Sequence, residues 1–183
     1  MEANAARSDT DWVEGFRARY EAWLPAAAPL LRAHQGAEAF KTYPFPVFDE
    51  TPWTPLRAPL ETARLGVVTT AGVYRPGVDP PFADTEEGDP RVLALPIDVE
   101  LGQLDVSHSH IPEELALADL NVVLPMEPLR ALVREGIVGS LAPRVWSVVG
   151  YRTRAHDVAL VTAPEIAAGL AADGVTLALI VPV

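Results

Sequence analysis

Between Asp9 and His34 the large apolar residues Trp12, Phe16, Tyr20, Trp23 and Leu24 follow one another at steps of four, four, three and one, the period of one helical face. Asp9 or Thr10 supplies a cap for its start, and Pro25 and Pro29 predict a break followed by a short helix from Pro29. From Tyr43 to Pro59 the prolines at 44, 46, 52, 55 and 59 each fix their own φ and push the preceding residue out of the helical region. That stretch is expected to be an extended strap without regular structure.

Beyond residue 63 the pattern changes to short β-rich runs alternating with helical ones. Leu65 to Thr70, Val92 to Ile97, Leu104 to His110, Asn121 to Leu124 and Val145 to Tyr151 read as strands. Pro112 with Glu113 and Glu114 reads as a helix first turn, since acids favour the positive end of the helix dipole. Met126 to Glu135 puts Leu129, Leu132 and Val133 on one face before Gly136. Thr162 with Glu165 three residues on, and Pro164 between, is a capping-box start for a helix to Asp173. Val175 to Val181 is apolar almost throughout, as expected of a central parallel strand covered on both faces. The expected architecture is a three-layer α/β domain over 63–183, Rossmann-like or flavodoxin-like with a mainly parallel sheet. An N-terminal helical arm over 1–42 and the strap over 43–62 precede it. Three of the four tryptophans, Trp12, Trp23 and Trp53, lie in that leading region, so the arm is expected to lie against its own domain or a second subunit.

Composition removes several function classes. At 183 residues with 49% hydrophobic and 21% charged positions the chain is an ordinary globular domain with room for one core. Its net charge of -11 repels nucleic acid and anionic lipid, so neither is an expected partner. There is no cysteine, which excludes disulfides, thiolate metal sites and a thiol nucleophile among these residues. Met1 to Thr10 lacks the apolar core of a signal peptide and no apolar run nears the ~20 residues of a membrane span, which makes the cytoplasm the expected location. No Gly-x-Gly-x-x-Gly or P-loop occurs, and Gly139-Ser140-Leu141 is not a nucleophile elbow.

Ligands of parallel sheets bind beyond the carboxyl ends of the strands. Thr69, Thr70 and Gly72 follow the first expected strand and are candidate substrate-binding residues; their alternative reading is β-branched strand residues and a turn. Ser107-His108-Ser109-His110 holds two of the four histidines. If extended, it places both imidazoles on one face, suited to paired acid–base roles or to a shared divalent metal ion, with Asp119, Asp105, His156 or His34 as a possible third ligand; an inert turn is the alternative. Asp119 is a candidate orienting acid, and Ser107 and Asn121 candidate substrate contacts. The acidic run from Asp79 to Asp89 reads as a solvated loop.

Taken in order, Pro52-Trp53-Thr54-Pro55-Leu56, Val67-Val68-Thr69-Thr70-Ala71-Gly72-Val73, Ser107-His108-Ser109-His110 and Asp119-Leu120-Asn121-Val122-Val123-Leu124-Pro125 resemble the selenoprotein B family of glycine, sarcosine, betaine and D-proline reductases. Glu135 to Pro143 and Val148-Val149-Gly150 extend the resemblance, which covers roughly Thr51 to Val183. It implies reductive cleavage of a carbon–nitrogen bond in a small amino acid or N-methylated glycine. The family's selenocysteine or cysteine lies shortly after a terminal apolar strand ending in proline. Val175 to Val181 matches that strand, but Pro182 and Val183 follow it, with no counterpart of the nucleophile or resolving thiol.

Three explanations stand: a longer native protein, a partner that brings the thiol, or a pocket serving chemistry without sulfur. The favoured expectation is the last, an enzyme using the His108 and His110 site to cleave or rearrange a C–N or N–N bond of an amino-acid-like substrate. The competing expectation is a non-catalytic substrate-binding subunit whose thiol or selenol comes from a partner. A homodimer is the expected assembly, with a hetero-complex as the variant.

Overall fold

The computed structural model describes residues 12–48 and 53–183; Asp9 and Thr10, the expected caps, lie outside them. The arm is one helix, α1 (Trp12–Arg32), followed by the single turn α2 (Gly36–Ala39). Pro25 and Pro29 do not break α1. The helical period survives both, and Phe16, Tyr20, Trp23, Ala27 and Leu31 form one buried stripe with Ala39, so tertiary packing outweighs the lost amide donors. The described residues of the strap that follows are irregular apart from turns at Phe40–Thr42 and Leu60–Thr62.

The domain contains β1 (Arg64–Thr69), β2 (Val73–Tyr74), β3 (Leu93–Pro96), β4 (Asp105–Val106), α3 (Glu113–Ala118), α4 (Met126–Arg134), β5 (Ser140–Ser147), α5 (Ala155–Asp157), α6 (Ala163–Ala172) and β6 (Leu177–Val181). Four strands form one sheet in the order β3-β5-β1-β6. β1 pairs in parallel with β5 and β6, while β3 runs antiparallel to β5, so the sheet is mixed. β2 and β4 form a separate antiparallel pair. Successive residues of β1 face opposite ways: Val67 packs with Met126 and Leu129 of α4, whereas Val68 packs with Ile166 and Leu170 of α6. Helices therefore cover both faces.

Several expectations are corrected. β6 is an edge strand among the described residues and Ile180 is 62% exposed; its apolar run suits parallel pairing with β1, but composition alone does not tell an edge from a centre. Asn121–Leu124 is not a strand: Asp119 Oδ1 accepts the Asn121 N–H, and Leu120–Val122 coil into a 3-10 turn with Val122 exposed. Of Leu104 to His110 only Asp105–Val106 forms a strand. Thr162 does not cap a helix. Its φ and ψ of -63° and -49° are helical, because the helix already starts at Ala155 and passes through a π-turn over Val158–Thr162 before α6. The acidic loop is not merely solvated: Phe82 is buried, and buried Asp89 accepts bonds from the Ala83 and Arg91 amides and the Arg91 guanidinium.

The arm lies on its own domain. Tyr20 Oη donates to Glu87 (3.1 Å) and lies 3.2 Å from Thr153 Oγ1, Tyr43 Oη donates to the Thr153 carbonyl (2.7 Å), and Arg32 pairs with Glu86 at 2.6 Å. Phe16 and Tyr20 rest on the His156 ring, with centroids 5.7 and 5.6 Å away.

Candidate functional site

Where β1 ends, the chain must turn sharply under a neighbouring strand. Gly72 does this with φ +67°, and a Cβ there would stand 2.4 Å from the Ser107 carbonyl oxygen. The backbones of Gly72, Val148 and Ser107 meet at this point: the Gly72 N–H donates to Val148 O (2.9 Å) and the Ser107 N–H to Gly72 O (3.0 Å). This crossing holds Ser107 against β1's exit. From there the Ser107 hydroxyl donates to the Phe82 carbonyl (2.9 Å), and the His108 N–H donates to Glu113 Oε1 (2.7 Å) at the first turn of α3. The Ile111 N–H returns to His108 O (3.2 Å), so Ser107 to His110 is a turn and not an extended segment.

The turn brings the two imidazoles together with centroids 6.1 Å apart and planes at 84°. His108 is 4% exposed; His110 is exposed but lies flat on the Tyr151 ring at 3.7 Å. The His110 backbone N–H donates to His108 Nδ1 at 3.3 Å, which assigns the ring proton to Nε2. His108 Nε2 is itself buried and has no hydrogen-bond partner among the described residues. Burial, aided by the neighbouring His110, pushes the His108 imidazole below its ordinary value, so it is neutral near pH 7. These side chains line a cleft of about 90 Å³, whose other walls include Asp84, Glu113 and Tyr151. At ~30 Å³ of liquid volume per water, that is room for a very small molecule.

The remaining candidates lie elsewhere. Thr69 is fully buried and its hydroxyl donates to the Val123 carbonyl (2.7 Å), a packing role. Thr70 Oγ1 accepts the Val183 N–H (2.9 Å) and lines a different cavity. Asp119 and Asn121 bond to each other, and Asn121 also to Glu127, all on an exposed corner away from the cleft. The metal reading of His108 and His110 meets a tautomer problem, since a ligating Nε2 would need the proton on Nδ1, where the His110 N–H already points. Among the described residues no group of three His, Cys, Asp or Glu side chains could hold a metal ion.

Sequence reasoning missed Tyr151, Phe82 and the contact made by Glu113. Tyr151 follows β5, and the rule that sends attention beyond strand carboxyl ends would have found it. Glu113 was legible only as a helix-dipole acid; its bond to His108 depends on a turn that no local pattern announces.

Comparison with known proteins agrees with the motifs. The profile of the glycine/sarcosine/betaine reductase selenoprotein B family matches residues 25–182. The chain is 30% identical over 135 residues to the D-proline reductase subunit gamma of Acetoanaerobium sticklandii, covering 74% of this chain and 54% of that protein. It is 29% identical over 136 residues to the glycine reductase complex component B subunit gamma of Symbiobacterium thermophilum, and 28% identical over 131 residues to the sarcosine reductase complex component B subunit beta of Peptoclostridium acidaminophilum. These alignments cover 70% and 69% of this chain and 30% of each relative. The chain thus spans between 30% and 54% of the curated relatives it matches. No solved structure matches. With its motifs in order and a profile match over most of its length, the chain belongs to the glycine/sarcosine/betaine reductase selenoprotein B family.

Proposed function

We propose that the cleft at His108 binds a small amino-acid-like molecule, and that the chain acts as a substrate-binding component of a reductase-type complex whose reducing thiol or selenol is not among these 183 residues. The observation that carries this is His108 Nε2: a buried N–H on a neutral ring, fixed in tautomer and left without a protein acceptor. A buried donor without a partner costs about 1–3 kcal/mol, which an acceptor on a bound ligand recovers. A carboxylate is such an acceptor. The same neutral Nε2–H is a hydrogen-bond donor and a poor proton source, which favours binding over acid–base turnover by this chain alone. The relatives' names as subunits of reductase complexes support the setting.

Calorimetric titration of glycine, sarcosine, betaine and D-proline tests the reading. At least one is expected to give saturable heat, and His108→Ala is expected to weaken it about tenfold or more, the equivalent of ~1.4 kcal/mol. Absence of saturable binding by all four, or unchanged affinity in His108→Ala, overturns it.

A further inference from the structure

A second cavity, of about 350 Å³, lies at the same end of the sheet and shares only Val149 with the lining of the His108 cleft. Val148 and Gly150, just beyond β5, and Thr70, just beyond β1, line one part of it; Trp12, Pro46 and Phe48 of the arm and strap line another. Its third wall is the π-turn, through Val158, Ala159 and Thr162. The π-turn inserts its extra residue where the helix meets the cavity, a feature that recurs at functional sites. The size falls at the lower end of small-molecule pockets, and the lining is apolar apart from threonine hydroxyls and one cation.

That cation is Arg152, and among the described residues no carboxylate pairs with it. Its Nη1 donates to the Asp89 backbone carbonyl (3.0 Å), while its Nε is buried with no partner. The acids near it are already engaged: Asp89 accepts from Arg91 Nε at 3.0 and 2.9 Å, and Asp157 accepts from Arg154 Nε at 2.6 Å. Burial pushes the Arg152 guanidinium below its ordinary value, the mark of a desolvated charge that its neighbours do not fully compensate. A half-buried guanidinium on a residue that lines an apolar cavity, with no ion-paired carboxylate among the described residues, is a costly arrangement for the protein alone, and one that an anion would relieve.

We infer that this cavity is a binding site for an organic carboxylate with an apolar body, Arg152 receiving the carboxylate and the π-turn and arm enclosing the rest. Guanidinium geometry favours a planar two-oxygen acceptor. The site does not use His108, although Val149 walls both cavities, and it takes a larger ligand than glycine. It requires the arm in place, which gives the tryptophan-bearing segment a functional reason to be there.

The test uses the full chain and three probes: phenylacetate, its uncharged isostere phenylacetamide, and acetate. Phenylacetate is expected to bind saturably by calorimetry and to raise the melting temperature, with phenylacetamide and acetate each at least tenfold weaker. Arg152→Met, which keeps the length and removes the charge, is expected to lose at least tenfold in phenylacetate affinity while remaining folded. Ala159→Phe, which fills the chamber, is expected to abolish binding, and His108→Ala to leave it unchanged. No saturable binding of phenylacetate, equal binding of phenylacetamide, or undiminished binding in Arg152→Met would overturn the inference. If Arg152→Met fails to fold, the phenylacetate-to-phenylacetamide ratio on the unmodified chain decides alone.

Discussion

Replacing Gly72 by alanine should destabilise the protein far more than the same change at Gly77, although both glycines have positive φ, +67° and +78°. Holding an L-residue in that region costs about 1–2 kcal/mol at either position. At Gly77 nothing lies within 4 Å of the added methyl, so that term stands alone. At Gly72 the methyl would stand 2.4 Å from the Ser107 carbonyl oxygen and 3.0 Å from Val149 Cγ2. The Ser107 oxygen belongs to the backbone and cannot swing aside. Relief requires separating Gly72 from Ser107, which loses the 3.0 Å bond between them (about 1 kcal/mol) and adds overpacking of about 1–3 kcal/mol. The sum is about 3–6 kcal/mol against about 1–2 at Gly77. At ~2–4 °C per kcal/mol for a chain of this size, Gly72→Ala should melt at least ~6 °C below the parent and clearly below Gly77→Ala. Thermal melts followed by circular dichroism measure both. The reasoning fails if the two variants melt within a degree or two of each other.

Other consequences are as direct. His108 and His156 are both held neutral by burial, so the unfolded chain takes up protons before the folded one; stability should be complete above the ordinary histidine value of 6.5 and fall as pH drops below it. Asp79, held down by Arg75, and Asp89, where bonds from Arg91 and backbone amides outweigh burial, add losses of the same sign only below about their ordinary 3.8. Urea midpoints between pH 7 and 5 should therefore decline, and His108→Asn combined with His156→Phe should flatten the decline. Tyr20→Phe strands the Thr153 hydroxyl beneath the arm and removes a bond to Glu87, and should cost about 1–2 kcal/mol in denaturant titrations. Burial pushes Tyr20 and Tyr43 up to about 12 and raises Tyr74 and Tyr151 as well, so spectroscopic titration should show at least two of the four tyrosines un-ionised at pH 11. Gly169→Ala drives a methyl to 2.0 Å from the buried Trp146 ring between α6 and the sheet, and a loss below 1 kcal/mol would contradict that contact.

Periodicity revealed what local physics controls. The stripe of Phe16, Tyr20 and Trp23 was readable as one helical face, and so were β1 and the helix from Met126, because burial imposes the period directly. Pro25 and Pro29 misled because the buried aromatic stripe outweighs two missing amide donors. Asn121 to Leu124 misled because a four-residue apolar run looks the same in a strand and in a turn fastened by an aspartate cap. The position of β6 was illegible, since strand order is decided by crossovers and not by composition. In the cleft, the pairing of His108 with His110 was legible but its geometry was not: the Glu113 carboxylate takes the His108 N–H and curls the segment, turning an imagined two-metal-ligand face into one pinned imidazole stacked edgewise on another.

Arg152 and Tyr151 were passed over for a related reason. They are adjacent in the chain, yet Tyr151 lines the histidine cleft and Arg152 the larger cavity, while Val149 touches both. The short segment leaving β5 is thus a shared wall, and its function exists only once β1, the acidic loop and the arm have been brought to it. This gives a prediction that separates backbone from side-chain effects. A Cβ at Gly150 would stand 2.9 Å from Thr70 Oγ1 and 3.0 Å from Thr70 Cβ, so Gly150→Ala must displace the wall itself. Gly150→Ala should weaken both phenylacetate and the amino-acid ligand, by several-fold each, whereas His108→Ala should weaken only the latter and Arg152→Met only the former. Calorimetry of the three variants against both probes reads this directly. If Gly150→Ala spares both ligands, the wall is not shared; if either side-chain substitution weakens both, the two cavities are one site.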